Sequence, residues 1–226
     1  MHFKRYLMPK FWPVAKKAEK FITTPAPGPH AKRESMPVVV LIRDVLGFAG
    51  TAGEARGLLN RGEVKVDCRV VKDPKFPVGL MDTVEFVSAK KRYRMVPHTV
   101  GLALTEIGPK EACKKLCMIK RKTVLKGGKT QITLHDGRNM LVGKDSGYRN
   151  GDSLLIELPG QKILHHWQIK EGVPAIVFRG KNSGISGRIK SVHEKKRMQE
   201  KSRVVIETKD GDIETLKDYV LAGEAA

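Results

Sequence analysis

The sequence predicts an α+β, multi-domain protein: a small helix-helix-sheet module followed by two β-rich units, the last a small SH3-like barrel. Three observations carry that expectation. Apolar residues recur at helical spacing over 38–46 and 55–59, and short alternating runs bounded by glycine dominate the second half. A formal net charge of +19 on 226 residues is spread through these segments rather than confined to a tail.

Residues 1–36 read as a basic extended arm. Lys4, Arg5, Lys10, Lys16, Lys17, Lys20, Lys32 and Arg33 stand against Glu19 and Glu34, with Phe3, Tyr6, Phe11, Trp12 and Phe21 between them. Pro25, Pro27 and Pro29 set φ and remove donors, so the path there is extended and free of helix. So sparse an apolar set does not bury a core of its own. The arm is expected to be disordered alone and ordered by a partner.

From Ser35 the pattern changes. Val38, Leu41, Ile42, Val45 and Leu46 keep helical spacing, with Ser35 as the N-cap and Gly47 near the stop. Val38, Val39 and Val40 would suit a strand equally well. Thr51-Ala-Gly-Glu54 is a capping box, in which hydroxyl and carboxylate each satisfy a free backbone N–H. The helix it opens buries Ala55, Leu58 and Leu59, stops at Gly62, and carries Arg56 and Arg61 on its other face. Glu63-Val-Lys-Val-Asp67 alternates with period two, which makes a strand with Lys65 on the polar side. The module closes near Ala89, and Lys90-Lys-Arg-Tyr-Arg94 follows as a basic seam. Together these define a domain over 37–95.

The remainder reads mostly as strand, divided into a central β-rich domain over 96–170 and a barrel with a C-terminal tail over 171–226. One short helix falls near 109–116. Asp136-Gly137 separates Gln131-Ile-Thr-Leu134 from Asn139-Met-Leu-Val142 and signals a hairpin. Further strands cover 153–158 and 162–169. Short strands over 173–178, 185–192, 203–207, 213–216 and 219–221 make the barrel. Gly180, Gly184 and Gly187 punctuate its first connection, and Gly184 is the structural turn, at a backbone conformation needing positive φ.

The charge sets the function class. Forty-three Lys and Arg oppose 24 Asp and Glu, a surplus that repels itself unless a polyanion neutralises it. Nucleic acid is that polyanion, because phosphate contacts release condensed counterions. Aromatics make up only 6% of the chain, which argues for phosphate and shape contacts over stacked bases. Arg43, Arg56, Arg61, Lys65, Arg69, Lys72 and Lys75 cluster in the module, although each alone reads as a solvated surface charge. With Lys4, Arg5, Lys10, Trp12, Lys16, Lys17 and Arg33 of the arm, they are the candidate RNA-binding residues.

Other chemistries find little support. Cys68, Cys113 and Cys117 are odd in number and make no disulfide framework, so the chain reads as reduced and cytosolic. Cys113 and Cys117 are spaced as on a helix; core-facing thiols explain them better than a zinc site, which would need two further ligands, His135 being the nearest reachable candidate. Gly128-Lys-Thr130 ends like a phosphate-binding loop but is followed by a strand where such a loop needs a helix. His165 and His166 point to opposite faces of a strand and form no metal pair. No nucleophile comes with a base, so no catalytic residue, metal or cofactor is expected. No apolar run approaches the roughly 20 residues of a membrane span, and no signal peptide opens the chain.

Several motifs in order then resemble one family. Met8-Pro-Lys-Phe-Trp-Pro13 and Pro27-Gly-Pro-His30 look like the arm of the archaeal and eukaryotic S-four-e family of small-subunit ribosomal proteins. The stretch from Ile42-Arg-Asp-Val-Leu46 through Gly62-Glu-Val-Lys-Val-Asp67 resembles the S-four RNA-binding domain. Lys75-Phe-Pro-Val-Gly-Leu-Met-Asp82, Lys115-Leu-Cys-Met-Ile119 and Leu134-His-Asp-Gly-Arg138 are similar to family signatures, and 175–192 is similar to a KOW motif. The resemblance implies a cytoplasmic, archaeal-type structural protein of the small subunit. Its implied partners are ribosomal RNA and neighbouring ribosomal proteins, with no catalysis, membrane or small-molecule substrate. An RNA-modifying enzyme anchored by such a domain would need a large catalytic domain that the chain has no room for. A translation or transcription factor using the KOW barrel is the other competing class.

Overall fold

The computed structural model describes residues 2–143, 147–194, 200–209 and 211–223. Parts of the expected final barrel, at 195–199, 210 and 224–226, therefore lie outside the described residues. The fold is α+β and multi-domain, and the chain divides into two compact units: 1–96 with 102–113, and 97–101 with 114–226.

The first unit opens with β1 (His2–Lys4) paired antiparallel to β2 (Phe21–Thr23). The strand β3 (Met36–Pro37) leads directly into α1 (Val38–Val40), which widens into a π-helix over Leu41–Val45. The valine run is therefore helical. Tertiary burial decides it, since Val38, Val40, Leu41 and Ile42 are all fully enclosed. Pro37, not Ser35, sits at the N-cap; the Ser35 hydroxyl instead donates to the Ala31 carbonyl at 2.9 Å. The helix α2 (Ala52–Asn60) carries the expected capping box: Glu54 N–H donates to Thr51 Oγ1, and the Glu54 carboxylate accepts from Thr51 N–H.

A five-stranded sheet follows in the order β5-β4-β7-β8-β9, built from β4 (Val64–Val66), β5 (Arg69–Val70), β7 (Thr83–Phe86), β8 (Lys91–His98) and β9 (Gly101–Glu106). Between β5 and β7, β6 (Pro77–Val78) pairs with β3. Asp67 and Cys68, both at positive φ, make the two-residue turn between β4 and β5. The basic seam is strand: Arg92 pairs with Glu85 on β7, and Arg94 is buried, donating to the Glu111 carbonyl at 2.6 Å. The expected helix over 109–116 shortens to α3 (Pro109–Ala112), because from Lys114 the chain pairs in a sheet.

The arm corrects the sequence expectation most sharply. Met8, Trp12 and Ile22 enter the same core as Leu41, Leu59 and Val84, and Trp12 Nε1 donates to the Ser35 carbonyl at 3.2 Å. Two motifs that stand far apart in sequence meet here. Ala26 N–H donates to the Lys75 carbonyl, and His30 Nε2 lies 2.9 Å from the Asp82 carboxylate. A Cβ on Gly79 would overlap the His30 ring, and one on Gly28 would come within 2.7 Å of Pro77. The arm buries its few apolar residues against the module as well as against one another, with the Phe3 and Trp12 rings 5.7 Å apart, a solution that composition alone does not reveal.

The second unit holds two five-stranded antiparallel sheets. The first has the order β12-β11-β10-β13-β14, from β10 (Lys114–Val124), β11 (Thr130–Leu134), β12 (Asn139–Val142), β13 (Ser153–Glu157) and β14 (Lys162–Trp167). The Asp136-Gly137 hairpin forms with Thr133 opposite Asn139. The second sheet has the order β18-β17-β16-β15-β19, from β15 (Pro174–Val177), β16 (Ser186–His193), β17 (Arg203–Thr208), β18 (Gly211–Leu216) and β19 (Val220–Ala222). Its core gathers Ala175, Val177, Ile189, Val204, Ile206 and Val220. Gly184, in the connection from β15 to β16, has φ +86°.

Candidate nucleic-acid interface

Several of the candidate basic residues lie on α2 and on the β4–β5 hairpin that follows it. The capping box starts α2 in register, so Ala55 and Leu59 point into the core and Arg56 faces solvent. Among the described residues no ion pair or hydrogen bond holds Arg56. Arg61, at the helix end, is exposed and pairs with Glu63. The Ser88 hydroxyl and then Arg61 hold the Glu63 carboxyl below its ordinary range. Gly62 turns the chain at φ +75°, and a Cβ added there would stand 3.4 Å from Val70 of β5.

On the sheet, Val64 and Val66 face the core and Lys65 faces out, half-buried. The cross-strand partners of Lys65 are Val70 and Glu85, and Glu85 is itself paired to Arg92. Arg69 and Lys72 are exposed, and Lys75 is half-buried. Lys65, opposite Val70, and Arg69, opposite Val66, lie on opposite faces of the β4–β5 hairpin, and Glu63 and Glu85 stand among these basic residues.

The remaining candidates lie elsewhere. Arg43 is largely taken up by Asp44, with contacts of 3.1 Å and 2.8 Å. Lys10, Lys16, Lys17 and Arg33 are exposed along the arm, and Lys4 lies over the Tyr6 ring at 5.9 Å. Arg5 and Trp12 are buried: Arg5 pairs with Glu19 at 3.4 Å, and the Trp12 N–H is used internally. Both act in the arm's packing, and the basic residues left available on the arm are its exposed lysines and Arg33.

The cysteine expectation holds for one residue of the pair. Cys117 is buried on β10, while Cys113, one residue beyond α3, is exposed. Burial first, and then the neighbouring Cys113 thiol, pushes the Cys68 thiol above its usual value. Among the described residues no group of three or more His, Cys, Asp and Glu is placed to hold a metal ion, and no helix is long and apolar enough to cross a membrane. The sequence reading missed a buried charge cluster in the second unit. Lys115 Nζ and Arg138 Nε lie 3.0 Å and 3.2 Å from the Asp136 carboxylate, and both Lys115 and Asp136 are enclosed. Its one signal was that all three residues sit in motifs already singled out.

Fold and charge thus define a multi-domain α+β protein with a basic, acid-poor surface suited to a polyanion. Family models match three consecutive stretches: the RS4NT (NUC023) domain over 1–33, the S4 domain over 36–84, and ribosomal family S4e over 89–163. The small ribosomal subunit protein eS4 of Ignicoccus hospitalis is 46% identical over 84% of this chain and 78% of its own length. The protein of that name from Desulfurococcus amylolyticus is 41% identical over 97% of this chain and 90% of its own. Among solved structures, the 30S ribosomal protein S4e from Thermoplasma acidophilum superposes with TM-score 0.71 at 28% identity, covering 84% of this chain and 94% of that one. The chain belongs to ribosomal family S4e.

Proposed function

We propose that the chain is a structural constituent of the small ribosomal subunit that binds ribosomal RNA through basic surfaces and supports subunit assembly and translation. Family membership over nearly the whole chain is the observation that carries this reading. Its partners are small-subunit ribosomal RNA and neighbouring ribosomal proteins, its place is the cytoplasmic ribosome, and its type is archaeal. The RNA-facing residues are Arg56, Arg61, Lys65, Arg69, Lys72 and Lys75 of the S4 domain, with Lys4, Lys10, Lys16, Lys17 and Arg33 of the arm. In the same reading the chain divides functionally into 1–36, 37–95, 96–170 and 171–226, the last an SH3-like KOW barrel; its five short antiparallel strands support that reading.

Replacing Arg56 and Arg61 with Ala together tests the S4 surface. Each lost phosphate contact is expected to lower the log–log salt slope of RNA binding by about 0.7–0.9. Both side chains are exposed, so circular dichroism should stay near wild type. An unchanged slope in a filter-binding titration moves the RNA face elsewhere. Fractionation addresses the wider function: a structural constituent stays stoichiometric on salt-washed small subunits, whereas a factor leaves.

A further inference from the structure

The β10–β11 hairpin of the second unit carries charge of one sign only. Over 118–135 the sequence holds five Lys and Arg and not one Asp or Glu. Its base is rigid, with Ile119, Ile132 and Leu134 at 1% exposure or less. A register shift between Ile119 and Arg121 marks the change. Before it, Lys114–Met118 of β10 pair with β13 and Ile119 pairs with β11; beyond it, residues 121–124 pair only with β11. Lys120, Arg121, Lys126 and Lys129 are exposed there, the last two flanking a Gly127-Gly128 tip. Among the described residues no ion pair or hydrogen bond engages these four side chains. Lys122 donates to the Tyr148 carbonyl at 3.1 Å.

Edge strands often carry a lysine to prevent pairing with another chain, but that purpose needs one or two charges on the edge itself. Here the basic residues continue around the tip, where there is no edge to protect. The final sheet of the same unit shows the contrast: Lys190 pairs with Asp212 and Arg203 with Glu214, so its charges compensate across strands. Among the described residues no acidic side chain pairs with Lys120, Arg121, Lys126 or Lys129 on the hairpin. Arg121 shares its face of the ribbon with Gln131 and Thr133, which are neutral hydrogen-bonding residues. Lys and Arg beside Gln and Thr is the side-chain set that contacts phosphate and sugar. A protein interface would be depleted in Lys and enriched in aromatic residues, which this ribbon lacks.

We infer that the β10–β11 hairpin is a second RNA-binding surface, separate from the S4 domain, that grips the phosphate backbone without reading sequence. The inference rests on the RNA-binding role proposed above. The full-length quadruple variant Lys120→Gln, Arg121→Gln, Lys126→Gln and Lys129→Gln should bind a small-subunit ribosomal RNA transcript more weakly. Its log–log salt slope should fall by about 0.7–0.9 for each phosphate contact removed. A Lys→Arg version at 120, 126 and 129 should keep the wild-type slope, because charge and reach remain. Equal loss in the Lys→Arg version would mean that folding, not charge, is responsible, and would overturn the inference. So would an unchanged slope in the Gln variant, including the case in which that variant fails only at assembly into subunits, which would assign the hairpin to a protein neighbour. If the wild-type chain itself does not retain the transcript, the RNA-binding reading fails as a whole. If the wild type binds and the Gln variant matches it, only the hairpin proposal fails.

Discussion

Asp136 shows how one residue links a turn signal to a buried charge. As the first residue of Asp-Gly it starts the hairpin turn, and Arg138 N–H donates to its carboxylate at 3.2 Å. Burial alone would raise its pKa, but the charges of Lys115, His135 and Arg138 outweigh that and hold it below the ordinary carboxylate value. A depressed folded pKa contributes stability that is complete above the unfolded value, about pH 3.9, and is lost as pH falls toward the folded one. Asp136→Asn removes the carboxylate 3.0 Å from the enclosed Lys115 ammonium, which is expected to destabilise the second unit by about 3–5 kcal/mol. Urea unfolding should show that loss at neutral pH. In strong acid the variant should show a shallower pH dependence than the wild type, and parallel curves would mean that Asp136 is not the titrating group.

At the scale of elements, the β15–β16 connection depends on Gly184. Its φ of +86° lies where a β-branched residue is a genuine outlier. A Cβ would also stand 2.8 Å from the His98 carbonyl carbon and 2.9 Å from Thr99 N, both backbone atoms that cannot rotate away. Backbone strain of this kind costs roughly 1–3 kcal/mol before the collision is counted. Gly184→Val should therefore loosen β15 and β16, whose core holds only a few fully buried side chains. Limited proteolysis is expected to cut the variant faster over 171–226, with the first unit protected as in the wild type. Resistance equal to the wild type would mean that the loop relocates without penalty.

The arm belongs to the scale of the whole molecule, because it decides what the first unit is. Residues 1–33 contribute Met8, Trp12 and Ile22 to the main core, and truncating a buried aromatic costs about 3–5 kcal/mol. Deleting the arm is expected to lower the thermal midpoint of the first unit, and Trp12→Ala should reproduce much of that loss. Amide exchange in the free protein should protect Trp12 and Ile22 comparably to α2. An arm that exchanges freely without RNA would restore the partner-ordered behaviour that its composition implies.

Local and periodic features were legible in the amino-acid order. The capping box at Thr51, the hairpin at Asp136-Gly137, the alternation of Val64 and Val66 around Lys65, and the surplus of positive charge all act over a few residues or through composition. Pairings across long stretches were not. Trp12 against Ser35, His30 against Asp82 and Lys115 against Asp136 each need two segments to meet, and neither segment alone encodes the partner. The Val38–Val40 run, open to either period, became helix only because the surrounding core encloses it. Which basic residues remain available to a polyanion was decided in the same way. Arg5 and Arg94 were drawn inside, Arg43 was occupied by Asp44, and Arg56 with the β10–β11 hairpin was left facing solvent, since burial and pairing are properties of the folded chain.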